Sequence, residues 1–485
     1  MSQPDFYPQQ PHPGDMPPEE FRRWGHQLID WIAEYLQEPE RYPVLAQVAP
    51  GEIASHLPRE APETHGEMGE ILRDFEQLLL PGVTHWNHPG FFAYFAITGS
   101  GPGILGELLT AALNANAMLW RTGPAATELE ERALDWLRQM LGLPEAFRGT
   151  IQDTASTSSL VAIAAAREAA GASDVAAAGR LRQYCSEEAH SSIDKAGMTL
   201  GIGRAGTRRI PTDESFRMDV RALDTAIQED LATGWRPFCV TAAVGTTSTT
   251  SVDPVAEVAE VCARYGLWLH VDAAYAGAAA VILEQRGILA GCERADSLVV
   301  NPHKWLFVPI DCSALYVRQP EIVRRAFSVV PEYLYTPEAE ETTNLMDYGH
   351  ALGRRFRALK LWMVLRYFGR EGLAARIREH LRLARTFGEW VDAEAEWERL
   401  APVPFSVVLF RYRPEGVPEE QVDELNERLL AAVNASGEAY LSHTRVRGRF
   451  ALRLAVGNLR TTEAHVRRAW ELLRDNAARL EVRTP

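Results

Sequence analysis

Phe21, Trp24, Leu28, Trp31, Ile32 and Tyr35 recur at helical spacing, as do Met68, Ile71, Leu72, Phe75, Leu78 and Leu79 before a stop at Pro81-Gly82. The chain is therefore expected to open with two amphipathic helices. The stretch between them carries five prolines, Pro39, Pro43, Pro50, Pro58 and Pro62. The two apolar faces are thus expected to wrap another surface, such as that of a second subunit, rather than pack as a compact domain.

From about residue 125 to 318 the period changes. Short apolar runs, Phe238–Val244, Leu267–Val271 and Ser297–Val300, alternate with helical stretches, the mark of a largely parallel sheet covered on both faces. A long helix-like region follows from Leu352 to Phe387. Strand-like runs Phe405–Tyr412, Ala439–His443 and Phe450–Val456, with helices near 418–435 and 463–480, then predict a small α+β unit. The expected class is α/β. Its divisions are an N-terminal arm with dimer-wrapping helices (1–88), a large mostly parallel domain (89–370) and a small C-terminal α+β domain (371–485).

Composition narrows the function classes. A chain of 485 residues, 46% hydrophobic and 24% charged, can bury a large core. A net charge of −15 with no basic block argues against a nucleic-acid partner. The five cysteines are dispersed and form no Cys-x-x-Cys pair, so neither a disulfide framework nor a metal site is expected. The first eighteen residues carry six prolines and lack a basic start and an apolar core, which reads as an arm rather than a signal peptide. The longest nearly apolar stretch, Ala273 to Leu283, is too short to cross a bilayer. No membrane partner and a cytoplasmic location are expected.

Only three of the 50 basic side chains are lysines: Lys195, Lys304 and Lys360. A chain so biased toward arginine keeps lysine by chance, or where a primary amine must lose its proton and attack a carbonyl, which guanidinium cannot do. Lys195 and Lys360 lie in helix-like stretches with charged neighbours and read as solvated. Lys304 follows an apolar strand-like run and precedes Trp305-Leu306-Phe307-Val308, so it reads as sequestered.

Ligands of open α/β sheets bind beyond the carboxyl ends of strands, where Asp272 stands in Leu269-His270-Val271-Asp272. Alone, such an aspartate is equally a helix cap or half of an ion pair. A third strand end, Thr150 to Ser159, is rich in hydroxyls and runs into the helix Leu160–Arg167. Free amides and hydroxyls there suit a phosphate, although serine and threonine are also ordinary caps. Lysine, aspartate and phosphate cradle together specify pyridoxal 5'-phosphate.

At this point the chain resembles the pyridoxal-phosphate-dependent group II decarboxylases, and within them the aromatic-L-amino-acid decarboxylases. The resemblance runs from about residue 20 to 480. It is carried by Pro81-Gly82-Val83-Thr84-His85-Trp86, Phe91-Phe92-Ala93-Tyr94-Phe95, Ala189-His190-Ser191-Ser192, Val271-Asp272-Ala273-Ala274-Tyr275, Asn301-Pro302-His303-Lys304-Trp305 and Leu352-Gly353-Arg354-Arg355-Phe356-Arg357. It implies a fold-type I transferase-like homodimer with an intertwined N-terminal segment. It also implies that Lys304 carries the cofactor, Asp272 holds the pyridinium and His190 stacks on the ring. Ala155, Ser156, Asn301 and His303 would serve the phosphate, with Thr247 and Ala274 beside the cofactor.

By the same resemblance Tyr333 protonates the substrate carbon; on sequence alone Tyr335 is a rival. Trp86, Tyr94 and Phe95 approach the substrate side chain, and Ile97, Met118 and Gly353 complete the pocket. Gly353 resembles the plant enzymes that take indoles, which favours tryptophan or 5-hydroxytryptophan and leaves phenylalanine, tyrosine and dopa open. Three alternatives stand beside this reading. An aromatic acetaldehyde synthase shares the scaffold and differs chiefly at the loop tyrosine. A decarboxylase of acidic amino acids would use a pocket cation such as Arg121. A cofactor-free binding scaffold would not need the lysine, aspartate and histidine.

Overall fold

The computed structural model describes residues 14–172, 179–329 and 341–481. Seven strands, β1 (Arg148–Gln152), β2 (Leu181–Ser186), β3 (Thr207–Ile210), β4 (Arg236–Ala243), β5 (Trp268–Asp272), β6 (Ser297–Val300) and β7 (Ser313–Val317), form one sheet in the order β1-β7-β6-β5-β4-β2-β3. Every pairing among β2 to β6 is parallel, whereas β7 runs antiparallel to both β6 and β1. The largely parallel sheet is thus as expected, with one reversed strand. Its central strands are buried along almost their whole length, which is why they read as continuous apolar runs rather than alternating ones.

Because β1 and β6 both oppose β7, their carboxyl ends lie on the same edge of the sheet as those of β2, β4 and β5. All the strand-end motifs of the sequence therefore converge on one rim.

A four-stranded antiparallel sheet follows, β8 (Trp397–Arg399), β9 (Val407–Tyr412), β10 (Ser442–Val446) and β11 (Arg449–Ala455), ordered β10-β11-β9-β8. Two expectations need correction here. The short β8 carries no apolar alternation and was not foreseen. The strand expected at Ala439–His443 begins only at Ser442, because the tight turn at Arg447 (φ 50°) and Gly448 (φ 77°) fixes its pairing with β11.

Five helices bear on the argument. Helix α1 (Pro18–Gln37) matches the first amphipathic pattern, has no buried side chain and leaves Phe21 64% exposed. The second pattern forms a helix at Met68–Asp74, continued by a wider turn through Leu79 and ended at Leu80–Gly82. Helix α2 (Gly101–Leu113) exposes Leu105, Leu108, Leu109 and Leu113. Helix α3 (Ala155–Ala169) follows β1 and crosses the sheet, with Ser158 bonded to Ser313 of β7 (2.8 Å) and Ser159 to His270 of β5 (3.1 Å).

Helix α4 (Ala358–Ala393) starts later than expected and bends at Gly369 (φ 59°). Residues 352–357 are not helical because their backbone is used elsewhere: Ala117 N–H donates to the Arg354 carbonyl (2.8 Å), and the buried Arg354 guanidinium reaches Glu130.

Lys360 overturns the reading of a solvated lysine. It is 1% exposed, on α4, and its ammonium pairs with Glu107 of α2. The helices can approach this closely because Gly106 has no side chain; a Cβ there would lie 2.7 Å from the Lys360 Cα. Removing Glu107 strands a buried cation. Glu107→Ala should therefore lower stability by about 3 kcal/mol, the lower end for breaking a buried pair because Glu107 keeps some solvent. Urea or thermal midpoints read the loss. Glu371→Ala, which removes an exposed partner of Arg370, serves as control; equal behaviour of the two variants would show that burial adds nothing to the pair.

Candidate active site

The rim formed by β1, β2, β4, β5 and β6 assembles the site one strand end at a time. Asp272 ends β5, and its Oδ1 accepts the N–H of Ala274 (3.1 Å). Ala274 in turn accepts the N–H of Asn301 (3.0 Å), which locks the ends of β5 and β6 together. The half-turn Pro302–Trp305 then lifts Lys304 out of the sheet. Behind Asp272, His270 projects from the same face of β5 and is bonded to Ser159 of α3 and Ser297 of β6. One helical turn and two strand residues are nearly equal lengths, so Ala155 at the start of α3 stands level with Asp272.

Lys304 lies in an aromatic and cationic setting. Its ammonium position is 5.1 Å from the centre of the Phe95 ring, and the Arg453 guanidinium is 4.7 Å from the same ring. Phe95 stacks on Tyr275 (3.8 Å), Tyr275 on Trp305 (4.5 Å), and Trp305 donates its indole N–H to His380 (2.9 Å). This column fixes Phe95 from behind. The amine of Lys304 is pulled below the ordinary lysine value, chiefly by burial; Asp272 opposes the shift and Arg453 adds to it. The arrangement therefore favours a nucleophilic amine.

His190 follows β2 and senses both groups: burial lowers its pKa, Asp272 raises it, and Lys304 lowers it again. Its Nδ1 accepts the N–H of Ser192 (3.1 Å), which leaves the ring proton on Nε2. His303 is also buried, and its Nδ1 accepts the N–H of Cys312 (2.9 Å); burial takes it down to about 4, so it too is neutral with Nε2–H available to donate.

Two features bear on the fit of a phosphorylated pyridoxal. The side-chain oxygen of Asn301, on a residue 2% exposed, has no hydrogen-bond partner; that oxygen accepts rather than donates, so it is the Nδ2 of the same amide that would serve a phosphate. At the start of α3, Thr154 makes no side-chain cap, which is common among the described helices and leaves the first amides, at Ala155 and Ser156, open to an anion. Asp272, Lys304, His190, Asn301, His303, Ala274, Ala155 and Ser156 thus share one rim, and Thr247, just beyond β4, adjoins it through Arg453, which donates to its carbonyl (3.0 Å).

The aromatic residues separate into two kinds. Phe91 and Phe92 are core, whereas Tyr94 is 52% exposed, stacks on Trp86 (6.0 Å between centres) and pairs its hydroxyl with that of Tyr440 (3.2 Å). Ile97 is half-buried two residues beyond Phe95. Met118 and Gly353 gather around Asn116 instead: Asn116 Nδ2 is 3.5 Å from the Met118 sulfur and 3.9 Å from where a Gly353 Cβ would be. Tyr333 and Tyr335 lie outside the described residues. Sequence reasoning missed Arg453 and Tyr440. The signal for the first was a charged residue inside the apolar run Phe450-Ala451-Leu452-Arg453-Leu454-Ala455-Val456.

Residues 50–413 match the family described as "Pyridoxal-dependent decarboxylase conserved domain". The chain is 40% identical over 469 residues to the aromatic-L-amino-acid decarboxylase of Catharanthus roseus, covering 94% of this chain and 93% of that protein. It is also 40% identical over 481 residues to the phenylacetaldehyde synthase of a Rosa hybrid cultivar, covering 95% and 94%. Its fold matches Oryza sativa TDC, solved with PLP and tryptamine, with a TM-score of 0.93 at 39% identity, covering 98% of this chain and 100% of that one. Among the described residues no helix is long and apolar enough to cross a membrane.

His270, His303 and His380 are each taken down to about 4 from 6.5, mainly by burial. Their folded values lie below the unfolded one, so the unfolded chain takes up protons first as pH falls and stability is lost from about 6.5 toward about 4. The thermal midpoint should decline across that window, and His380→Gln should make the decline shallower. A profile of the same slope in the variant would contradict this assignment.

Proposed function

This chain belongs to the pyridoxal-dependent decarboxylases and uses pyridoxal phosphate, and on that premise we propose that it decarboxylates an aromatic L-amino acid to the corresponding arylalkylamine. Tryptophan or 5-hydroxytryptophan is preferred to phenylalanine, tyrosine or dopa. The observation that carries the reading is the buried amine of Lys304 held over the Phe95 ring, with Asp272 and Arg453 as its charged neighbours.

Lys304 Nζ would hold the cofactor's aldehyde, Asp272 its ring nitrogen and His190 its ring face. Ala155, Ser156, Asn301 and His303 would hold the phosphate, beside Thr247 and Ala274. When bound, the cofactor supplies the electron sink into which the bond to the departing carboxylate empties. The residues do the rest. Asp272, as a carboxylate, stabilises a protonated ring nitrogen. Lys304, whose proton affinity burial lowers, attacks a carbonyl in its unprotonated form and afterwards takes a proton at Nζ. Tyr333 delivers a proton to the substrate's α-carbon. Trp86, Tyr94 and Phe95 offer an aromatic surface for the substrate side chain, whereas the acidic-substrate alternative needs a cation and Arg121 is already engaged.

The exposed apolar faces of α1 and α2 support a homodimer. Five buried free cysteines support a reducing, cytoplasmic setting.

Two outcomes test the reading. Purified protein screened for amine release over the proteinogenic amino acids, dopa and 5-hydroxytryptophan should act on aromatic substrates, and Lys304→Arg should abolish both turnover and the visible absorbance of bound cofactor. Release from glutamate or aspartate alone, or an active Lys304→Arg variant, would overturn it.

The similarity to a phenylacetaldehyde synthase favours a second reading, in which oxygen intercepts the reaction. Tyr333 argues for amine formation, since a positioned acid contributes roughly 10²–10⁴-fold. Tyr333→Phe should divert product to aldehyde, with oxygen and water consumed and carbon dioxide, ammonia and hydrogen peroxide formed. Diversion only in Tyr335→Phe would move the role to that residue.

A further inference from the structure

No motif assigns Arg453 a role, and its surroundings are unusual for a buried cation. It is 3% exposed, on β11 of the small sheet, with its side chain crossing to the large domain. There it donates to three neutral acceptors, the carbonyls of Tyr94, Thr247 (3.0 Å) and Ser248 (3.3 Å). Among the described residues no carboxylate pairs with it. Other buried cations behave differently: Lys360 meets Glu107, Arg354 meets Glu130, and Arg411 meets Glu398 and Glu419. A buried charge without a counter-charge is costly, so the fold spends stability to keep one here.

What the uncompensated charge faces is the Phe95 ring, and through it Lys304. Both cations lie within cation–π range of that ring, which places them no more than about 10 Å apart, close enough for appreciable repulsion in a buried setting. The other charged and titratable groups around Lys304 are Asp272 from β5, His190 from beyond β2 and His303 beside it on the β6 turn. Both histidines are held neutral, Asp272 favours the charged amine, and only Arg453 supplies a fixed opposing charge. Tyr275, also near Arg453, is kept in its neutral form by burial.

We propose that Arg453 is a positioning residue whose unpaired charge, set against the same Phe95 ring as Lys304, opposes a second positive charge on that amine and so readies it for the cofactor, while its three carbonyl contacts seat the small domain on the cleft. One of those contacts holds Tyr94, whose backbone occupies the left-handed region (φ 51°). The inference rests on the reading of Lys304 as the lysine that takes pyridoxal phosphate.

The test follows the rate at which full-length protein, freed of cofactor, captures pyridoxal phosphate as pH is varied, read by visible absorbance. In the wild type the rate should rise with a midpoint below that of an ordinary lysine. In Arg453→Gln and Arg453→Met the midpoint should move up by about one pH unit. In Arg453→Lys, which keeps the charge but not the three-way hydrogen bonding, it should stay near the wild-type value.

A purely structural role predicts that charge-keeping and charge-removing variants behave alike, so equal midpoints in all of them would overturn the proposal. If neither neutral variant folds, Arg453→His decides: an imidazole buried at that position is neutral at the pH of capture, so its midpoint should move up as for the other charge-removing changes, and a midpoint equal to that of Arg453→Lys overturns the proposal. Failure of Lys304 to capture the cofactor in the wild type would instead defeat the functional reading on which this inference rests.

Discussion

The proposed site depends on lowering the proton affinity of one amine in a place where a carboxylate raises it. On that proposal Lys304 lies near enough to Asp272 for both to engage one small ring, and that proximity raises the affinity of the amine for a proton. Burial against Phe95, and the nearby guanidinium of Arg453, work in the opposite direction. The balance is built from parts far apart in sequence: the end of β5, the turn after β6, the loop at Phe95 and a strand of the small sheet.

Topology explains why those parts meet. The reversed β7 lets β1 enter the sheet parallel to β6, so the hydroxyl-rich start of α3 rises on the same rim as Asp272 and Lys304. Ser159 and His270 tie that helix to β5 just behind the aspartate, which fixes the level of the start of α3 relative to Asp272. The aromatic column Phe95-Tyr275-Trp305-His380 gives the lysine a rigid wall and links it to α4.

Much of this was legible in the chain. The strand-end residues Asp272 and Lys304 stood out because an aspartate and a scarce lysine each closed an apolar run, and the alternation of runs and helices located the sheet. Lys360 was misread because its charged neighbours suggested solvent, whereas a glycine on the facing helix lets the two backbones close over it. Residues 352–357 were assigned to a helix because periodicity cannot show that the Arg354 carbonyl is taken by the segment at Ala117. Arg453 was hidden for a similar reason: its meaning is a long-range contact, visible in one dimension only as a charge out of place in an apolar strand.

The most direct test of this account is to reduce the cofactor-loaded protein with borohydride and map the pyridoxyl group by peptide mass spectrometry. With only three lysines the answer is unambiguous. The account predicts a stoichiometric label on the peptide bearing Lys304 and none on those bearing Lys195 or Lys360. A label on either of the other two, or no label on protein that retains its activity, would contradict it.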